Sequence, residues 1–137
     1  MAVKLTRRVD FPMLDMAGIA FYPRIFDLAH RFFEESWEHI CGIPYPVMTQ
    51  KMHLGFPAVH TSADHLAPLR YGDTVHCKLW IESVGNSSVV WKYQYRNQDE
   101  TLCWEARVVT VCVDMQTFEK RDVPGEIADA LRKCTED

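Results

Sequence analysis

Apolar and polar positions alternate along this chain with two different periods. Val3, Leu5 and Val9 fall on odd positions among polar neighbours, which predicts a strand over residues 3–11. A turn-like stretch from Pro12 to Gly18 then gives way to a slower rhythm. Ile25, Phe26, Ala29, Phe32, Phe33, Trp37, Ile40 and Cys41 recur at steps of three and four, predicting a helix over 23–41 with one wide apolar stripe. Pro23 suits the first helical turn, where its missing N–H has no partner to lose. Gly42 suits a left-handed cap, with Pro44 close behind it. The breadth and aromatic content of the stripe predict a buried central helix.

Four prolines (Pro44, Pro46, Pro57 and Pro68) interrupt residues 43–72, leaving room for short strands near 49–54 and 58–67. From residue 73 onward period two returns. Val75, Cys77, Leu79 and Ile81 alternate with polar residues, and so do Val89, Trp91, Tyr93 and Tyr95. The Gly85-Asn86-Ser87-Ser88 turn between them signals a hairpin. In a third long strand the apolar phase runs on even positions to Val108, then on odd ones from Val109 to Met115, which predicts a β-bulge. Pro124 to Asp137 reads as a short final helix. One long helix pattern against many strands means an α+β domain with an antiparallel sheet. Trp80 and Val90 fall on the opposite sheet face from the helix, which suggests that a partner subunit covers them.

The 137 residues are the size of one domain, spanning 1–137. Apolar residues at 47% and charged residues at 25% are an ordinary globular balance. The formal charge of −4 argues against a nucleic-acid partner held by bulk electrostatics. No apolar run approaches a membrane span and no leader is visible at the N-terminus, so no membrane association and a cytoplasmic location are expected. The five cysteines are odd in number and lack a Cys-x-x-Cys pair, which predicts free thiols rather than disulfides or zinc.

No Gly-x-Ser-x-Gly elbow, phosphate loop, dinucleotide fingerprint or close histidine metal spacing is present, so neither a metal nor an organic cofactor is expected. The informative stretch is Asp15-Met-Ala-Gly-Ile-Ala-Phe-Tyr22-Pro23. An acid lies there a few residues before a long helix. It is suited to capping a turn or the helix start. It also stands beside unpaired helix N–H groups and the positive end of the helix dipole. A thioester carbonyl could accept from such an N–H while the carboxylate attacks the carbon or activates water. Pro23 cannot donate, which leaves neighbours such as Tyr22 or Arg24.

The segment Asp15–Trp37 resembles the 4-hydroxybenzoyl-CoA thioesterase branch of the hotdog superfamily, which carries Asp-x-x-Gly-(Ile/Val)-x-x-Tyr before its long helix. The matching residues are Asp15, Gly18, Ile19 and Tyr22, followed by Pro23. The resemblance implies a sheet wrapped around one long helix and a homodimer or homotetramer with its site at the dimer interface. It further implies hydrolysis of an acyl-CoA, with Asp15 as nucleophile or general base and the Tyr22 backbone N–H as carbonyl donor. Gly18 and Ile19 would line the approach of the substrate. His30 would meet the far end of an aromatic acyl group, and His60 would lie along the active-site side of the sheet.

The sequence departs from that family at three places. Met13 stands where a second acid is common, and Met16 where a small residue or proline is common. The hairpin carries Ser87 and Ser88 rather than cations. Phosphate contacts would therefore fall to backbone and hydroxyl groups there, or to Lys51, Arg70, Lys92 or Arg107. Two other functions are compatible with the fold. A hotdog hydratase or dehydratase would pair an acid with a nearby histidine, which is missing around Asp15. A non-catalytic acyl-CoA-binding protein would have no use for Asp15.

Overall fold

The computed structural model describes residues 1–137. The chain order is β1 (Val3–Arg8), α1 (Tyr22–Cys41), α2 (Tyr45–Gln50), β2 (Leu54–Gly55), β3 (Ala58–His65), β4 (Thr74–Val84), β5 (Ser88–Arg96), β6 (Leu102–Val111), β7 (Val113–Asp114) and α3 (Gly125–Arg132), with a 3-10 turn at Phe11–Met13. Five strands form one antiparallel sheet in the order β1-β4-β5-β6-β3, and β2 pairs with β7 beside it. This is the expected α+β architecture. β1 and β3 are its edges. β1 stops at Arg8, short of the predicted residue 11, because Phe11–Met13 coils into the 3-10 turn.

α1 lies on the inner sheet face. It starts at Tyr22 with Pro23 in its first turn, and Gly42 caps it at φ 72°. The stripe Ile25, Leu28, Ala29, Phe32, Phe33, Ser36 and Trp37 is buried. Asp27, His30, Arg31, Glu34 and Glu38 face solvent, so the helix is covered on one side only. Phe33 and Trp37 meet Trp91 edge-on at ring separations of 4.9 and 5.3 Å. The Tyr95 hydroxyl donates to the Ile25 carbonyl at 3.1 Å, fastening the sheet to the first turns of α1. Aromatic pairs in these geometries add stability beyond their buried area.

Three sequence expectations change. The segment near 49–54 is not a strand: α2 occupies Tyr45–Gln50, with Pro46 in its first turn, and only Leu54–Gly55 is extended. β6 keeps its even-phase side chains inward throughout, with Trp104, Ala106, Thr110 and Cys112 all buried. The apolar phase changes only at Val113, where the chain leaves the large sheet to form β7. The bulges lie elsewhere, with Val59, Glu82 and Cys103 as the extra residues. Trp80 and Val90, expected to await a partner, are each already buried to 7% exposure within the chain, and Lys78 lies over the Trp80 ring at 5.2 Å. All five cysteines are free, four of them buried.

Candidate active site

Asp15 and Tyr22 stand on the two arms of one short hairpin-like loop. Leu14 and Ala20 form a β-bridge around a tight loop, closed by the Gly18 N–H to Asp15 carbonyl bond at 3.0 Å. Gly18 sits at φ 80°, where a side chain would be strained, and a Cβ there would meet nothing within 4 Å. Its role is therefore backbone conformation, as in hairpin loops closed by a left-handed glycine. Ile19 bridges Arg70, and the Ala20 N–H donates to the Leu69 carbonyl at 2.8 Å, which anchors the loop to the strand β4 approach.

Asp15 is exposed. Its Oδ1 accepts the Ala17 N–H at 2.8 Å, so it caps its own turn and not the helix. The helix is preceded by Phe21, whose N–H donates to the Met13 carbonyl at 3.2 Å. Arg24 and Ile25 both donate to the Phe21 carbonyl. Pro23 has no N–H. That leaves the Tyr22 N–H as the donor at this helix start with no acceptor in the chain. A helix N-terminus stabilises developing negative charge, and this one offers a single free donor directly after the loop that carries Asp15.

One helical turn beyond Tyr22, about 6 Å along the axis, an apolar cavity of about 260 Å³ opens between α1, β3, β5 and β6. Phe26, Phe33, Tyr45, Phe56 and Tyr93 supply its aromatic wall, and Thr61 supplies a hydroxyl. His30 stands at the exposed rim, with Nε2 3.0 Å from Glu34 Oε1 and its ring stacked on Phe33 at 5.4 Å. Burial, with the Glu34 carboxylate as a smaller cause, pushes the Tyr45 phenol above its ordinary value, so it is a neutral donor at working pH.

The remaining expected residues lie apart from this group. His60 is exposed on β3 opposite Val109 and does not line the cavity. Ser87 and Ser88 sit in the β4–β5 hairpin, at the far end of β4 from the Asp15 loop, roughly 30 Å along the strand within one chain. Their carbonyls accept the Cys112 and Gly85 N–H groups. Sequence reasoning overlooked Tyr45 and Thr61 as cavity residues. They come from a proline-broken segment and an edge strand, and no period marks them.

The chain matches the family model described as the thioesterase superfamily over residues 17–104, a segment that begins just past Asp15. It is 30% identical to the 1,4-dihydroxy-2-naphthoyl-CoA hydrolase of Prochlorococcus marinus (strain NATL1A) over 105 residues, 72% of this chain and 69% of that protein. It is 25% identical to the acyl-CoA thioester hydrolase YbgC of Escherichia coli O6:H1 over 126 residues, covering 92% of each. The crystal structure of a 1,4-dihydroxy-2-naphthoyl-CoA thioesterase from Synechocystis superimposes with a TM-score of 0.85 at 21% identity, over 96% of both chains. That likeness carries the fold.

Proposed function

The chain belongs to the thioesterase superfamily, and from that premise we propose that it hydrolyses an acyl-CoA to the free acid and CoA, with Asp15 as the catalytic carboxylate. The observation that carries the reading is an exposed carboxylate, Asp15, and an unsatisfied helix N–H, that of Tyr22, at the two ends of one pinned loop.

The thioester oxygen accepts from the Tyr22 N–H, which draws charge off the carbonyl carbon. Removing one such donor in other acyl-transfer enzymes costs about 2.7–4 kcal/mol of barrier. Asp15 then acts in one of two ways. As a nucleophile, its oxygen bonds to the acyl carbon and the C–S bond breaks. CoA leaves as the thiolate, and water hydrolyses the anhydride. As a general base, it takes a proton from water, whose oxygen attacks the same carbon, and the C–S bond breaks to release CoA as the thiolate. Rapid-quench single turnover separates the two, because only the nucleophilic route passes through an acyl–Asp15 anhydride.

The acyl group in this reading is aromatic, such as 4-hydroxybenzoyl or a fused-ring analogue. An apolar cavity of about 150 Å³ holds one benzene ring, so about 260 Å³ with aromatic walls suits one or two fused rings. The names of the hydrolases it resembles point the same way. His30 and Tyr45 offer polar groups to a ring hydroxyl. A panel of aromatic and aliphatic acyl-CoAs, followed by free-thiol release, tests this. The expected order puts ring-bearing acyl groups at least tenfold above short aliphatic ones in kcat/KM. Equal values across the panel would remove the aromatic assignment.

The active unit in this reading is a homodimer, or a tetramer of two dimers. β3 is an eight-residue edge strand, exposed along nearly its whole length, with Val59 at 59% exposure. An unpaired edge of this kind is a template for strand addition. Antiparallel pairing of two β3 strands would bring a second copy over the cavity mouth at Ala58 and Thr61.

A further inference from the structure

The sheet has a second face, turned away from α1, and its charge is uneven. Strand register sets Lys4 opposite Lys78, His76 opposite Arg96, and Lys92 opposite Arg107. Like charges directly across neighbouring strands destabilise a sheet. Two like-charge rungs, Lys4–Lys78 and Lys92–Arg107, therefore lie on one face of a chain whose net charge is −4, although Arg107 is also paired with Glu82 at 3.3 Å. A groove of about 280 Å³ runs over β1, β4 and β5, lined by Lys4, Thr6, His76, Lys78, Gln94 and Arg96, and no acid lines it.

We propose that this outer-face groove binds a phosphorylated small molecule carrying at least two negative charges. Two ammonium groups and one guanidinium meet there with two neutral donors, the Thr6 hydroxyl and the Gln94 amide. Arg96 spends one N–H on the Glu100 carbonyl at 3.1 Å and keeps the rest of its fork for a bidentate phosphate contact. The one acid in reach is Glu136 of the C-terminal tail, 4.0 Å from Lys78 Nζ. It partly fills the role of the missing anion and competes with a bound one. On the next rung position Gln94 faces Glu105, which closes the basic surface on the β6 side.

The groove lies across the sheet from the aromatic cavity.

Titration of ¹⁵N-labelled full-length protein with inorganic pyrophosphate, adenosine 3′,5′-bisphosphate and CoA tests the proposal. Pyrophosphate and the bisphosphate are expected to shift the amide signals of Lys4, His76, Lys78 and Arg96. The Lys78→Gln/Arg96→Gln double variant should bind at least tenfold more weakly, while Glu136→Gln binds severalfold more tightly. The ligand-free double variant should melt near or above the wild-type temperature, since it relieves the Lys4–Lys78 rung, which separates lost binding from lost folding. If CoA moves the same signals, the groove takes the nucleotide end of CoA itself. If only the smaller phosphates do, it takes a separate phosphorylated ligand. The proposal fails if neither phosphate shifts these signals, if the double variant binds like wild type, or if only an acidic polypeptide such as poly-glutamate binds.

Discussion

Asp15 uses one carboxylate oxygen to hold its own turn and keeps the other without a partner in the chain. In the proposed mechanism Tyr22 would contribute its backbone N–H, and its exposed ring would be incidental to that role. Tyr22→Pro therefore deletes the proposed donor with little damage elsewhere. Proline is accepted at the first helical position, and Phe21 at ψ 156° is already in the conformation that precedes a proline. The expected result is a fall in kcat of about 10²-fold or more with an unchanged circular dichroism spectrum. A variant with wild-type kcat would place the donor elsewhere. Gly18→Ala forces a Cβ into left-handed backbone at a cost of about 1–2 kcal/mol, read as a lower denaturation midpoint. Asparagine at the same position should recover part of that loss. The spacing of Asp15, Gly18, Tyr22 and Pro23 was visible in the sequence because each is tied to a backbone requirement. Tyr45 and Thr61 were not, because a cavity wall gathers residues from distant segments and leaves no local period.

Among the elements, α1 and the β4–β5 hairpin were the most legible, since long periodic runs leave one orientation that buries the apolar side. The register between β3 and β6 was not legible, nor was α2. The Pro44-Tyr45-Pro46 segment reads as a breaker, yet proline in a first turn is compatible with a six-residue helix. The misplaced bulge has a similar origin. Val109 and Val111 are half-buried on the outer face of β6, so their apolar character mimicked a change of phase. The bulge at Val59 matters for assembly because it lies on the free edge. Val59→Lys places a solvated cation at the edge and blunts strand addition. Sedimentation should show a shift toward monomer, together with lost turnover if the site needs both chains. A variant that assembles like wild type would move the interface off β3.

Over the whole molecule, the aromatic core joins α1 to four of the five strands, and no helix is long and apolar enough to cross a membrane. Two of its buried thiols make the fold sensitive to alkali. Burial pushes Cys112 up to about 11, and Cys77 higher still. In the unfolded chain both ionise near the ordinary thiol value of about 8.5. Between pH about 9 and 11 the unfolded chain therefore releases protons that the folded chain retains, and stability falls as pH rises through that window. The denaturation midpoint should be lower at pH 10 than at pH 7.5, and Cys112→Ala should narrow the difference. The family assignment and the architecture were both within reach of the sequence, since the loop motif, the helix and the meander agree with one another. Whether Asp15 drives the chemistry is decided most directly by comparing wild type with Asp15→Asn, which keeps shape and removes charge. The measurement is the single-turnover rate of thiol release from an aromatic acyl-CoA. A drop of about 10²–10⁴-fold with the melting temperature unchanged is the predicted result, and a rate within a few-fold of wild type would contradict it.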